Sequence, residues 1–143
     1  MIQLATPAAA PAVVELLVAQ LGEHAIDTPR DAVERAVAGM LADPRRGFIL
    51  VDGAAGVAWV SFTWSLEHGG LTAWLEELYI VPERRDSGLG TALLRAAEER
   101  ARAAGCAAVD LEVDAEHTRA ARLYQREGYR PLPRARWVKP LRP

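Results

Sequence analysis

Apolar residues recur along the chain in two rhythms, one helical and one extended. Val13, Leu16, Leu17 and Leu21 follow the i, i+3, i+4, i+8 spacing of a single helix face. Pro7 and Pro11 frame the start of that helix, and Gly22 is expected to close it. Thr28-Pro29 reads as an N-cap with proline at the first helical position. A second helix then runs through Val33, Val37, Met40 and Leu41 and stops before Asp43-Pro44. Ile2 to Ala5 fits a short leading strand. Phe48 to Val51 and Val57 to Trp64 flank the turn signal Asp52-Gly53, which predicts a hairpin. Trp74 to Val81 is a third extended run after the turn at 67–70.

Helical spacing returns from Gly90 to Ala104, with Leu93, Leu94, Ala97 and Ala101 on one face, and Gly105 ends it. Ala107 to Val113 reads as a strand and Thr118 to Arg126 as a short helix stopped by Gly128. Tyr129 to Leu132 and Trp137 to Leu141 are weaker strand candidates. The strand–helix–strand unit around Leu93 implies a parallel pair, and the hairpins imply antiparallel ones. The expected fold is therefore α+β (mixed α/β), with one mixed sheet and helices on both faces. No repeat or Gly/Ser linker divides the chain, so a single domain over 1–143 is expected.

Composition narrows the function classes. A chain of 143 residues, half of them hydrophobic, can bury about 68–70% of its unfolded surface. Its one cysteine, Cys106, cannot form an internal disulfide, which suits a reducing cytoplasm. Cys106 fits a small buried hydrophobe better than a nucleophile. A net charge of −2 offers no field for nucleic acid. No stretch approaches the ~20 apolar residues of a membrane span, and the first residues lack a secretory pattern. His24, His68 and His117 are too scattered for metal-ligand spacing, so no metal is expected. The arginines and Lys139 of the last ten residues read as a solvated face, and Trp59, Trp64 and Trp74 as core or interface.

The segment Arg85-Asp86-Ser87-Gly88-Leu89-Gly90-Thr91 joins a strand to a helix. Glycines there permit a tight turn and close approach of a ligand. The first N–H groups of a helix have no internal partners, so they suit a phosphate. Arg85 adds a cation. The Walker loop is excluded because Gly-Lys-Ser/Thr is missing, and the dinucleotide fingerprint because Leu93 stands where its third glycine belongs. Gly-x-Gly alone also fits an ordinary strand-to-helix bend.

Arg85-x-x-Gly88-x-Gly90, flanked by Leu78-Tyr79-Ile80-Val81-Pro82 and Thr91-Ala92-Leu93-Leu94, resembles the pyrophosphate loop of the GNAT acetyltransferase superfamily. The stretch from Ala120 through Tyr124 to Tyr129 resembles that superfamily's second signature, at the right distance. The resemblance implies a mostly antiparallel sheet splayed between two central parallel strands. It implies acetyl-coenzyme A as co-substrate, with main-chain groups of Leu78, Tyr79 and Ile80 pairing with the pantetheine arm. Asp86, Ser87, Gly88, Leu89, Gly90 and Thr91 would cradle the diphosphate beside Arg85. His117 and Ala120 match cofactor-binding positions of the second signature. Two positions depart from the pattern: Asp86 where glycine is usual, and His117 where asparagine is usual. Aspartate tolerates left-handed backbone better than most residues, and histidine can still donate or accept a hydrogen bond.

The resemblance also assigns chemistry. Tyr124 matches the family's general acid, placed to protonate the departing thiolate. Glu76 matches the base of the spermidine/spermine acetyltransferase branch, with Glu77 in reserve. An amine of pKa ~10.4 is neutral in only about one part in 2,500 at pH 7, so a base is useful. The leading expectation is an N-acetyltransferase acting by direct attack of a small-molecule primary amine, possible as a homodimer. Acetylation of a protein N-terminus or lysine, and a non-catalytic acyl-coenzyme A-binding module, are the alternatives.

Overall fold

The computed structural model describes residues 1–142. They fall into two compact units, 1–112 and the stretch from Val113 onward. The first contains β1 (Gln3–Leu4), α1 (Ala10–Glu23), α2 (Arg30–Leu41), β2 (Gly47–Asp52), β3 (Gly56–Ser65), β4 (Gly70–Ile80), α3 (Leu89–Ala103) and β5 (Val109–Leu111). The strands form one sheet in sequence order. All neighbouring pairs are antiparallel except β4–β5, which is parallel.

Cross-strand partners share a face of the sheet. Val51 opposes Val57, which opposes Tyr79; Ile49 opposes Trp59, which opposes Glu77. That face meets α1 and α2 in a core containing Val13, Leu17, Val33, Val37, Ile49, Val51, Val57 and Tyr79. The opposite face carries Leu50, Ala58 and Leu78 in one row and Phe48, Val60 and Leu75 in the next. Here α3 covers the sheet with the fully buried Leu93 and Leu94, and the Arg100 guanidinium lies 5.5 Å from the Phe48 ring centre. A Cβ on Gly56 would lie 2.8 Å from both Ile80 Cδ1 and Leu93 Cδ1, so β3 needs glycine where α3 presses closest.

The register of β3 on β4 slips between Trp59 and Val60. Trp59 faces Glu77, but Val60 faces Leu75, so Glu76 is the extra residue of a β-bulge. Leu75 and Leu78 consequently share the α3 face although they are three residues apart, a spacing that regular alternation would send to opposite faces.

Several expected boundaries shift for identifiable reasons. Gly22 does not close α1. The helix runs on to Glu23, and Ala25 takes the left-handed conformation at φ 52°, while Ile26 N–H reaches back to the Leu21 carbonyl at 3.0 Å. Pro29 rather than Thr28 stands at the N-cap of α2. Trp64 is not core but 80% exposed near the end of β3. Tyr129 to Leu132 and Trp137 to Leu141 are not strands. Pro131, Pro133 and Pro140 remove three main-chain donors from that tail, which weakens any ladder it could join.

The second unit holds α4 (Thr118–Arg126). His117 sits at its N-cap with φ −83° and ψ 62°, and its carbonyl accepts from Ala121 N–H at 3.0 Å. Gly128 at φ 94° turns the chain after the helix, so that Tyr129 N–H donates to the Tyr124 carbonyl at 2.9 Å.

Candidate functional site

The site begins with an edge that β4 leaves open. β5 pairs only with Ala73, Trp74 and Leu75, so 76–80 have no β5 partner. Val81 N–H donates to the Ala55 carbonyl at 2.9 Å. By antiparallel alternation, Val81 and Tyr79 therefore spend their main-chain groups on β3, whereas those of Leu78 and Ile80 point to the open side. Of the three residues expected to offer main-chain pairing, Tyr79 is thus already engaged in the ladder. Leu78 and Ile80 carry the open edge.

The chain next turns through Pro82–Arg84 and enters α3. Asp86 adopts φ 57° and Gly88 φ 84°, two left-handed residues in a three-residue span. Asp86 therefore takes a left-handed conformation at the position where the resemblance has glycine. Asp86, Ser87 and Gly88 are exposed, while Leu89 is buried and pins the first turn of the helix. The Ser87 hydroxyl donates back to the Arg84 carbonyl at 2.5 Å. Ala92 is the first N–H of α3 to reach a main-chain acceptor, the Gly88 carbonyl at 3.0 Å. The N–H groups of Leu89, Gly90 and Thr91 precede it and have no helical partner. Their partial positive charge, together with the helix dipole, suits an anion.

Arg85 does not stand free beside these donors. Its Nε donates to the Ile80 carbonyl at 3.0 Å and its Nη2 to Glu23 Oε2 at 2.7 Å. The guanidinium lies 5.7 Å from the centre of the Tyr79 ring, and the Tyr79 hydroxyl donates to Glu23 Oε1 at 2.9 Å. Burial works to raise the Glu23 carboxyl, but the hydrogen bonds from Arg85 and Tyr79 outweigh it and hold it below its ordinary value. Burial, and then the neighbouring Glu23, push the Tyr79 phenol up.

The acidic pair lies at the bulge. Glu76 is exposed, whereas Glu77 is half-buried on the α1–α2 face opposite Trp59. Burial raises the Glu77 carboxyl above its usual value, a hydrogen bond from Gln20 of α1 offsets part of that, and the Glu76 charge adds to it. Gln20 Oε1 and Trp59 Nε1 are buried without a hydrogen-bond partner. At the bulge the extra residue interrupts the alternation of side chains, so Glu76 and Glu77 need not face opposite sides of the sheet.

In the second unit Tyr124 is half-buried, and its ring packs edge-to-face on Tyr129 with centroids 5.7 Å apart. Ala120 lies half-buried on the same helix, and His117 is exposed at its start. Burial pushes the Cys106 thiol up, away from the thiolate that a nucleophile needs. Glu23 and Gln20 had no motif to announce them. Both belong to α1, more than fifty residues before their partners on β4 and the loop.

The profile of the acetyltransferase (GNAT) family matches residues 10–129. The chain belongs to that family. A 65-residue stretch is 37% identical to the aminoalkylphosphonate N-acetyltransferase of Salmonella typhimurium, covering 46% of this chain and 42% of that protein's length. Among solved structures, a protein of Arthrobacter sp. FB24 taken for an acetyltransferase is 31% identical with a TM-score of 0.84, covering 99% of this chain and 96% of that one. The aminoglycoside N-acetyltransferase AAC(6')-Iy, solved in complex with CoA, has a TM-score of 0.84 over 99% of this chain and 94% of its own. At 18% identity that likeness shows the shared fold.

Proposed function

We propose that this chain transfers the acetyl group of acetyl-coenzyme A to the primary amine of a small molecule. The observation that carries the reading is a pair of main-chain donor sets in sequence: Leu78 and the Ile80 N–H on the open edge of β4, then the N–H groups of Leu89, Gly90 and Thr91 at the start of α3. A pantetheine arm carries amides that can pair with a strand edge, and a diphosphate suits the helix start that follows. The fit is to a ligand that is both strand-like and anionic. Small-molecule acceptors are supported by the aminoalkylphosphonate acetyltransferase relative and by the fold shared with the aminoglycoside enzyme.

In this reading the amine nitrogen attacks the thioester carbonyl carbon, the C–S bond breaks, and the amide and free coenzyme A leave. Two protons move. One leaves the amine, and Glu77 is the better acceptor of the acidic pair, because a raised carboxyl is closer in affinity to the proton it must take. Glu76, matched by the spermidine/spermine resemblance, remains exposed to water at the bulge and is the comparison. The other proton goes to the coenzyme A sulfur, for which the phenol of Tyr124 is proposed on the strength of the second signature. The test is a thiol-release assay with acetyl-coenzyme A and a panel including aminoalkylphosphonates, aminoglycosides and polyamines. Turnover with an amine, lowered about 10²- to 10⁴-fold by Glu77→Gln and retained in Glu76→Gln, is expected. Absence of turnover with every amine, together with absence of acetyl-coenzyme A binding in calorimetry, would refute it.

A further inference from the structure

We propose that Glu23, at the last turn of α1, is a positioning residue for acetyl-coenzyme A, acting through Arg85 and Tyr79. This rests on the reading that the β4 edge and the α3 start hold that co-substrate. Both carboxylate oxygens of Glu23 are used, Oε2 on Arg85 at 2.7 Å and Oε1 on the Tyr79 hydroxyl at 2.9 Å. Arg85 spans the junction between the two halves of the site. Its Nε holds the Ile80 carbonyl, and its own main chain immediately precedes the left-handed Asp86.

Two consequences follow for the ligand. First, the Ile80 carbonyl already has a donor, so the open edge presents Leu78 N–H, the Leu78 carbonyl and Ile80 N–H. An arriving amide chain finds a reduced set of partners, which fixes its register along the strand. Second, Arg85 is tied at both ends of its guanidinium, and the backbone leading into Asp86 and Gly88 is anchored from α1. Side chains of Arg85 and Glu23 are 31% and 35% exposed, so solvent screens the pair only in part. A preorganised loop loses less conformational freedom on binding than a loose one. Both oxygens of the carboxylate that supplies this order are spent on Arg85 and Tyr79, so its effect is expected in co-substrate affinity and not in the chemical step.

The experiment compares acetyl-coenzyme A binding by calorimetry and steady-state kinetics for wild type, Glu23→Gln, Glu23→Asp, Arg85→Gln and the double variant E23Q/R85Q. Glu23→Gln is expected to weaken binding and raise the acetyl-coenzyme A KM about tenfold, the lower end of what a charge-assisted hydrogen bond is worth. Its kcat at saturation and its KM for the amine should stay within about twofold. Glu23→Asp, which keeps the charge, should recover part of the affinity. The double variant should bind no worse than Arg85→Gln, because both changes open the same clasp. Unchanged affinity in Glu23→Gln, or full additivity in the double variant, overturns the inference. Tighter binding in Glu23→Gln also overturns it, since the clasp would then be withholding Arg85 from the anion. Wild-type protein that gives no heat with acetyl-coenzyme A sinks the functional reading itself. Wild type that binds while Glu23→Gln binds equally well sinks only the role of Glu23.

Discussion

Replacing Gly88 by alanine separates the anion-binding role of the loop from its role in folding. Gly88 sits at φ 84°, and a Cβ built there meets no atom within 4 Å. The substitution therefore creates no clash, and its cost is conformational. An L-residue in the left-handed region costs about 1–2 kcal/mol, and the reduced freedom of the unfolded chain returns about 0.4–1 kcal/mol. The net loss is about 1 kcal/mol, or about 2–4 °C in Tm for a chain of this size. Gly105, at the other end of α3, has φ 90° and equally empty surroundings, so Gly105→Ala should lose the same stability. The two variants part company in binding. Whatever strain the free Gly88→Ala loop sheds by leaving the left-handed turn is spared in stability and returns when bound co-substrate demands that turn. A fully relaxed free loop therefore keeps the wild-type Tm and raises the acetyl-coenzyme A KM about 5- to 30-fold, at about 1.4 kcal/mol per decade. Gly105→Ala should leave the KM unchanged. Thermal melts and initial-rate kinetics on both variants decide the matter, and a Gly88→Ala variant with both the Tm and the KM of wild type would refute the assignment of the diphosphate to the start of α3.

Three further outcomes are expected. Tyr124→Phe should lower kcat by about 10²- to 10⁴-fold with the acetyl-coenzyme A KM little changed, read from steady-state rates; a loss confined to KM would make the ring a packing group. Gly56→Ala should cost about 1–3 kcal/mol in chemical denaturation, because its Cβ would meet Ile80 and Leu93 at 2.8 Å and the Tyr79 carbonyl at 3.1 Å inside the α3–sheet contact. Asp86→Gly should tighten acetyl-coenzyme A binding a few-fold in calorimetry, as it removes a negative charge from the loop while keeping φ 57° accessible; weaker binding would show that the Asp86 carboxylate supports the loop.

Much of the frame was legible because hydrophobic spacing and turn residues agree with each other. Leu93, Leu94, Ala97 and Ala101 marked the buried face of α3, and Gly105 marked its end. The hairpin around Asp52-Gly53 formed in register. The site was legible as a loop and as a list of residue types, but not as a set of partners. Nothing local to Glu23 signals Arg85, because an ion pair across 62 residues is decided by how α1 lies against the sheet. The bulge had a faint signal: Leu75 and Leu78 are both apolar with two carboxylates between them, a three-residue spacing that alternation cannot satisfy on one face. The tail misled for the opposite reason. Trp137, Val138 and Leu141 have strand-like composition, but extended residues become a strand only when a neighbouring edge takes their hydrogen bonds, and the prolines subtract donors.

The bulge also makes Glu77 testable by stability as well as by rate, and the sign follows from where its proton sits. Its carboxyl is raised in the folded protein, chiefly by burial. The native state then holds a proton that the unfolded chain releases, so Glu77 weakens the fold as pH climbs through its folded value and costs nothing below the ordinary carboxylate range. Glu77→Gln removes the buried charge while keeping a hydrogen-bonding group beside Gln20. The variant should therefore melt higher than wild type at pH 7, with the gap closing as pH falls below about 4.3. The same deprotonation arms the base, so the wild-type kcat/KM should fall on the acid side along a limb displaced above the usual carboxylate range, and that limb should vanish in Glu77→Gln. A residue used for catalysis at some expense to stability gives both effects together. A variant that is less stable at pH 7 yet fully active would show instead that Glu77 is an ordinary strand carboxylate, and the burden of proton removal would pass to Glu76 at the crest of the bulge.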